Sequence, residues 1–242
     1  MKRKLRMRVW ILICLIIISL SGFLFILYDE NIDYQETNQN NEITNKTPIN
    51  TKQDDWKLIL VNQWNPIPDN YNVETVALSN GQSVDKRILN DLQAMMDDCR
   101  ADGLSPLICS SYRTNEKQTS LYNKKVNQNL KEGYSQEKAK KEAATWVAIP
   151  GTSEHQVGLA VDIVAKSHQV LDKTQESTPE QKWLMENSYK YGFILRYPSD
   201  KKEITGISYE PWHYRYVGKE AASEITKRQI TLEQYITELN QS

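Results

Sequence analysis

The sequence predicts an α+β domain behind an N-terminal membrane-spanning segment, and three observations predict it. Helical and strand-like segments follow one another irregularly after residue 56, without the strand–helix–strand rhythm of a doubly wound sheet. One segment, Gly158–Ala165 (GLAVDIVA), is apolar almost throughout and reads as a buried strand. Residues Val9–Tyr28 run for twenty positions without a charge, the length a helix needs to cross a hydrocarbon core of about 30 Å.

The chain has 242 residues, 39% of them apolar and 25% charged, so it can build a packed core. Its net charge of −1 is unevenly spread. Residues 1–28 carry Lys2, Arg3, Lys4, Arg6 and Arg8 and no acid, which leaves 25 basic against 31 acidic residues beyond them. That mildly acidic remainder excludes a nucleic-acid binder, which needs a basic surface. Five basic residues before the span, and Asp29, Glu30 and Asp33 after it, place residues 1–8 in the cytoplasm and the rest outside. The apolar run exceeds a signal-peptide core of about 7–15 residues, so 9–28 is read as an uncleaved anchor. Residues 29–55 are rich in Asn, Thr and Gln and cannot bury enough apolar surface to offset chain entropy, so they read as a flexible linker. The folded domain is expected over 56–242. Three cysteines, Cys14, Cys99 and Cys109, are too few for a disulfide scaffold. Cys99 and Cys109 are expected either to pair or, the plainer reading, to be two buried thiols.

Within the domain, Ile88, Leu89, Leu92, Met95, Met96 and Cys99 recur at helical spacing over 84–101, with Gly103 as a stop. Residues 107–112 form a short strand that ends in Ser110-Ser111-Tyr112-Arg113. Polar, Lys-rich helices are expected over 114–132 and 135–147. After the buried strand, Thr178-Pro179-Glu180-Gln181 opens a helix, with Thr as cap and Pro at the first position. It should run to Gly192, followed by strands at 193–197 and 212–217. Two short helices then close the chain, the second capped at Thr231.

Three histidines exist, and two sit in chemically suggestive settings. His155 precedes the buried strand, and Asp162 lies within it, where a carboxylate is costly unless paired or metal-bound. His213 stands three residues after Glu210, at the entrance to the 212–217 strand. Two histidines and a carboxylate make three protein ligands and leave a fourth tetrahedral position open, as in catalytic zinc sites. Glu210 would then be a base for water at that position. His168 lies in a polar loop and is left unassigned.

Ser153-x-His155-x-x-Gly158-x-Ala160-x-Asp162 followed by Glu210-x-Trp212-His213 resembles the signature of VanY-type zinc D,D-carboxypeptidases. The resemblance runs from Trp56 to about Tyr235 and includes Ser111-Tyr112-Arg113-Thr114, Gln118 and Tyr191–Pro198. It implies a central antiparallel sheet flanked by helices, the fold also seen in the signalling part of Hedgehog proteins. It implies one Zn²⁺ per chain held by His155, Asp162 and His213, with Glu210 as catalytic base. Arg113 is implied to bind substrate and stabilise the transition state, and Gln118 and Ser153 match positions that line the substrate pocket in relatives. The implied substrates are peptidoglycan stem peptides or lipid-linked precursors ending in D-Ala. Chemically, amide hydrolysis needs an activated water, a base and a cation where the oxyanion develops, and this set supplies all three.

Three rivals remain. Ser135-x-x-Lys138 and Ser199-x-x-Lys202 fit the S-x-x-K of serine peptidases, but the companion S-D-N and K-T-G motifs are absent. A non-catalytic zinc-binding module of this fold would have no use for Glu210 and Arg113 beside the ligands. An L,D-carboxypeptidase acting on tetrapeptide stems is the runner-up activity.

Overall fold

The computed structural model describes residues 55–241, so the expected tail 1–8, the span 9–28 and all of the linker except Asp55 lie outside the described residues. No helix among the described residues is long and apolar enough to cross a membrane. A hairpin of β1 (Thr75–Ala77) and β2 (Ser83–Asp85) leads into helix α1 (Leu89–Ala101) and strand β3 (Pro106–Ser110). Helices α2 (Asn115–Lys131) and α3 (Gln136–Ala144) pack together before strand β4 (Ala160–Ala165). Then come α4 (Pro179–Asn187), β5 (Phe193–Leu195), the single turn α5 (Lys202–Thr205), β6 (His213–Tyr216), α6 (Lys219–Arg228) and α7 (Leu232–Gln241).

Four strands form one antiparallel sheet in the order β3-β4-β6-β5. The α+β expectation with a central antiparallel sheet therefore holds. Side chains alternate across the sheet. Val161, Ile163, Tyr214, Tyr216 and Phe193 face a core shared with Leu92 and Met95 of α1 and Leu184 of α4. A second cluster seats Ile194 and Val217 against Ala222 and Ile225 of α6 and Leu232 and Ile236 of α7. The intervening positions of the two central strands carry Asp162, His213 and Arg215, all buried.

Caps fix the helix starts. Thr114, Ser135 and Thr178 each accept from the backbone N–H three residues on, and Thr231 and Gln234 exchange two such bonds. Ser135 of the S-x-x-K pair is thus a capping residue.

Several boundaries move; the helix expected over 135–147 ends at Ala144, and the strand expected over 107–112 spans Pro106–Ser110. The helix expected from residue 84 begins at Leu89, because Val84 pairs with Val76 in the hairpin and Asp85 caps a 3-10 turn over Lys86–Ile88. The helix expected to run to Gly192 ends at Asn187 and tightens into a 3-10 turn, Ser188–Tyr191. Gly192 closes that turn at φ +87°, and a Cβ there would meet the Tyr216 ring at 2.8 Å. Strand β5 stops two residues before the expected 197, and β6 is one residue shorter than expected at each end. Cys99 and Cys109 are free thiols, the first buried and the second half-buried, and burial pushes both up to about 12.

Candidate metal centre and active site

Asp162 and His213 are directly opposed partners on β4 and β6, so sheet register alone brings a carboxylate to an imidazole. His155 arrives from a 3-10 turn, Glu154–Val157, just before β4. Gly158 redirects the chain from that turn into the strand at φ +73°, and a Cβ on it would lie 3.0 Å from both the Asp85 nitrogen and the Val73 side chain. Only glycine fits both that dihedral and that approach. Glu210 and His213 bracket a turn in which His213 N–H donates to the Glu210 carbonyl at 3.2 Å. Pro211, at the second position of that turn, pre-sets its φ. The Glu210 carboxylate comes to lie 3.8 Å from His213 Nδ1.

Backbone and side-chain acceptors decide which ring nitrogens are free. His155 Nδ1 lies 2.8 Å from the Ser111 carbonyl, which can only accept, so the proton sits on Nδ1 and Nε2 faces Asp162 at 3.3 Å. His213 Nε2 lies 3.4 Å from a Glu154 oxygen, and its Nδ1 lies 3.1 Å from Asp162 Oδ1. One donor atom from each of His155, Asp162 and His213 falls within 4.8 Å of the others. Two imidazole nitrogens and one carboxylate oxygen, each ring oriented by an acceptor on its far side, suit a tetrahedral zinc with one open position.

The electrostatics of the cluster suit a dication. Burial lowers His155 to about 4, helped by the Arg113 charge, so its ring is neutral and able to ligate. Burial also disfavours charge on His213, but its hydrogen bonds to Asp162 and Glu154 outweigh that and raise it to about 9. Asp162, although buried, is held well below the usual carboxylate range by His155, His213 and Arg113. Burial pushes Glu210 up to about 8, only partly offset by His213 and Arg113. A metal ion beside these groups reverses such shifts, ionising Glu210 and stripping the proton from His213. Zinc binding near neutral pH should therefore release about two protons, one from His213 and one from Glu210, and affinity should rise steeply with pH between 6 and 8, by up to about a hundredfold per pH unit. Calorimetry in buffers of different ionisation enthalpy counts those protons directly, and Glu210→Gln should reduce the count by one; a pH-independent affinity in that variant would remove His213 from the ligand set.

Arg113 lies on the loop after β3 and is mostly covered. Its Nη2 donates to Asp162 Oδ2 at 2.8 Å and to Ser110 Oγ at 2.7 Å, and its Nη1 to Gln118 Oε1 at 3.4 Å. Gln118 differs from expectation. It is fully buried on the first turn of α2, and its amide is consumed by Arg113 and by the Ala148 carbonyl at 2.7 Å, so it braces Arg113 from behind. Ser153 is also buried, at the N-terminal end of the 3-10 turn, and neither residue lines the cavity over the metal cluster. That cavity, about 330 Å³, is floored by Arg113, His155, Asp162, Glu210 and His213. His168 lies apart, its Nε2 2.7 Å from Thr174 Oγ1.

Four residues whose roles escaped the sequence reading are Glu154, Arg196, Arg215 and Glu233. Glu154, fully buried beneath His213, binds Arg196 Nε and Arg215 Nη1 through one oxygen, each at 2.8 Å. Arg196 continues to Glu233 on α7 at 2.7 and 2.9 Å. The two arginines hold Glu154 ionised far below the usual carboxylate range despite its burial.

Comparison with known proteins places this geometry. The family model VanY, D-alanyl-D-alanine carboxypeptidase, matches residues 81–219. A D-alanyl-D-alanine carboxypeptidase of Enterococcus faecalis (strain ATCC 700802 / V583) is 53% identical over 184 residues, covering 76% of this chain and 67% of that protein. Two solved structures are likewise 53% identical and each covers 75% of this chain. VanYB in complex with D-alanine-D-alanine superposes with a TM-score of 0.71 over 98% of its chain. A vancomycin-resistance D,D-pentapeptidase VanY variant from a VanB-type cassette, in complex with Zn(II), gives 0.70 over 99%.

Proposed function

The chain belongs to the VanY D-alanyl-D-alanine carboxypeptidase family, and from that premise we propose that it is a zinc D,D-carboxypeptidase that removes the terminal D-alanine from peptidoglycan stem pentapeptides. The observation that carries the reading is the convergence of His155, Asp162 and His213 on one point, with Glu210 and Arg113 flooring the same cavity.

Zinc supplies Lewis acidity at that point, making water nucleophilic near neutral pH. Glu210 is the base. It adjoins a ligand without being needed as one, and it can take a proton from the attacking water and return it to the leaving amine. Arg113 presents a fixed planar cation to the scissile carbonyl or to the substrate's terminal carboxylate. Its bonds to Ser110 and Gln118 hold it in place, which reduces the reorganisation required as charge develops.

Support for the D,D specificity comes from relatives. The structure solved with D-alanine-D-alanine shares 53% identity with this chain. Consuming such termini would lower the number of D-Ala-D-Ala ends open to glycopeptide antibiotics. The sequence supports an anchored enzyme with its domain outside the cell: twenty uncharged residues follow five basic ones. Lipid-linked precursors and nascent peptidoglycan are the substrates such a placement would meet.

Mass spectrometry of the products tests the reading. Stem pentapeptide should lose one D-alanine, and tetrapeptide should be hydrolysed at least about a hundredfold more slowly, a difference of roughly 2.7 kcal/mol in transition-state binding. Preferential hydrolysis of the tetrapeptide would replace the D,D reading with the L,D one.

A further inference from the structure

An enzyme that removes one small terminal residue meets nearly all of its substrate on the acyl side of the scissile bond. Most of the cleft wall between the metal cluster and solvent is therefore available to the upstream part of the stem. Helix α2 supplies one stretch of it. Leu121, Lys124, Lys125 and Gln128, at the i, i+3, i+4 and i+7 spacing of a single helix face, all line the cavity that holds the cluster. Trp146 stands beside them, with Lys125 Nζ 5.9 Å from its ring centroid. Lys124 makes no ion pair among the described residues, and it is exposed.

Leu171 lines the same cavity from the loop between β4 and α4. The base of that loop is pinned by the buried Gln175, which donates to the His168 and Val170 carbonyls at 2.5 and 2.8 Å. Trp146 is 41% and Leu171 45% exposed, although both are large and apolar. Exposed apolar groups gathered at the mouth of a cleft, with polar groups converging among them, mark a surface that a ligand covers. The cleft's floor carries Arg113 paired with Asp162 beside the Glu210 carboxylate, and two lysines, Lys124 and Lys125, line its wall on α2.

We propose that Lys124 and Lys125, with Trp146 and Leu171, form an upstream subsite for a carboxylate on the acyl portion of the stem peptide. This rests on the carboxypeptidase reading above and adds a specificity element to it. Stem peptides include a glutamate joined through its side chain, which leaves its α-carboxylate free. That carboxylate lies two residues before the D-alanine whose carbonyl is attacked, about 7–10 Å of extended chain. The ammonium groups neutralise it, while Trp146 and Leu171 cover the adjoining aliphatic chain.

The test uses two soluble pentapeptides, free of phosphate, that differ only in a free α-carboxylate or an α-carboxamide on that glutamate. The wild-type enzyme should favour the carboxylate form about tenfold in kcat/KM at low salt, the size expected of a charge-assisted contact at a partly exposed site. The preference should shrink as ionic strength rises. In K124A/K125A it should fall below about twofold. In K117A/K131A, which removes two lysines from the same helix outside this cavity, it should persist. A wild-type ratio near one would overturn the subsite, as would a tenfold ratio surviving in K124A/K125A or an equal collapse in K117A/K131A. Failure of the wild-type enzyme to release D-alanine from either peptide would instead defeat the carboxypeptidase reading itself.

Discussion

Glu210→Gln should lower kcat by at least about two orders of magnitude while the protein keeps its full zinc content. General acid–base groups contribute typically 10²–10⁴-fold, and Gln retains the shape of the side chain without its proton-accepting charge. Glu210 sits 3.8 Å from His213 Nδ1 and is not one of the three converging donors, so the metal should remain in place. KM should change little, because the lost interaction belongs to the transition state. Steady-state kinetics on the pentapeptide, together with metal analysis of the same preparation, checks both halves. Near-wild-type kcat at full zinc content would move the base elsewhere.

Glu154→Ala should be the most destabilising single change near the site, at about 3–5 kcal/mol. The carboxylate is fully buried and compensates Arg196 and Arg215, which are themselves buried. Removing it leaves Arg196 with Glu233, and Arg215 with only the Lys57, Ile59 and Tyr216 carbonyls. It also strips His213 Nε2 of its acceptor, and losing such an outer partner typically weakens metal binding by about 10–100-fold. Urea unfolding of the metal-free protein reads the first effect and a competitive chelator titration the second. Glu154→Gln keeps an acceptor for His213 and should recover part of the zinc affinity while remaining destabilised, which separates orientation of the ligand from charge balance. Wild-type stability in Glu154→Ala would mean that the arginines find other partners.

These two residues also mark where the sequence was and was not sufficient. Glu210, His213, His155 and Asp162 were legible because each stands in a short pattern whose chemistry can be read locally. Asp162 was conspicuous as a charge in an apolar strand, and sheet register then set it opposite His213. Glu154 is the residue next to His155, yet nothing local distinguishes it from a surface acid. Its partners lie 42, 59 and 61 residues away, and only the folded sheet brings them together. Gln118 was legible as part of the site but not in its orientation, which depends on the Ala148 carbonyl 30 residues on.

The fold followed the same division. The caps at Thr178 and Thr231 and the apolar run of β4 are local signals and stand where expected, while Thr114 and Ser135, expected as the first residues of helices, cap them. The β1–β2 hairpin did not announce itself, since each strand has three residues and only Val84 and Asp85 among them are buried. Val84 continued the helical period of α1 in sequence while pairing with Val76 in space, so tertiary pairing overrode periodicity. The α4 helix stopped early because Gly192 must turn sharply against Tyr216 and Gly218 to start β5.

Zinc reconstitution tests the central claim most directly. Protein stripped of metal should release no D-alanine from stem pentapeptide, and stepwise addition of zinc should restore the rate linearly up to one equivalent per chain, then no further. His213→Ala, carried through the same titration, should stay inactive at one equivalent. Full activity in the stripped protein, or restoration of His213→Ala by a single equivalent, would contradict a catalytic zinc held by His155, Asp162 and His213.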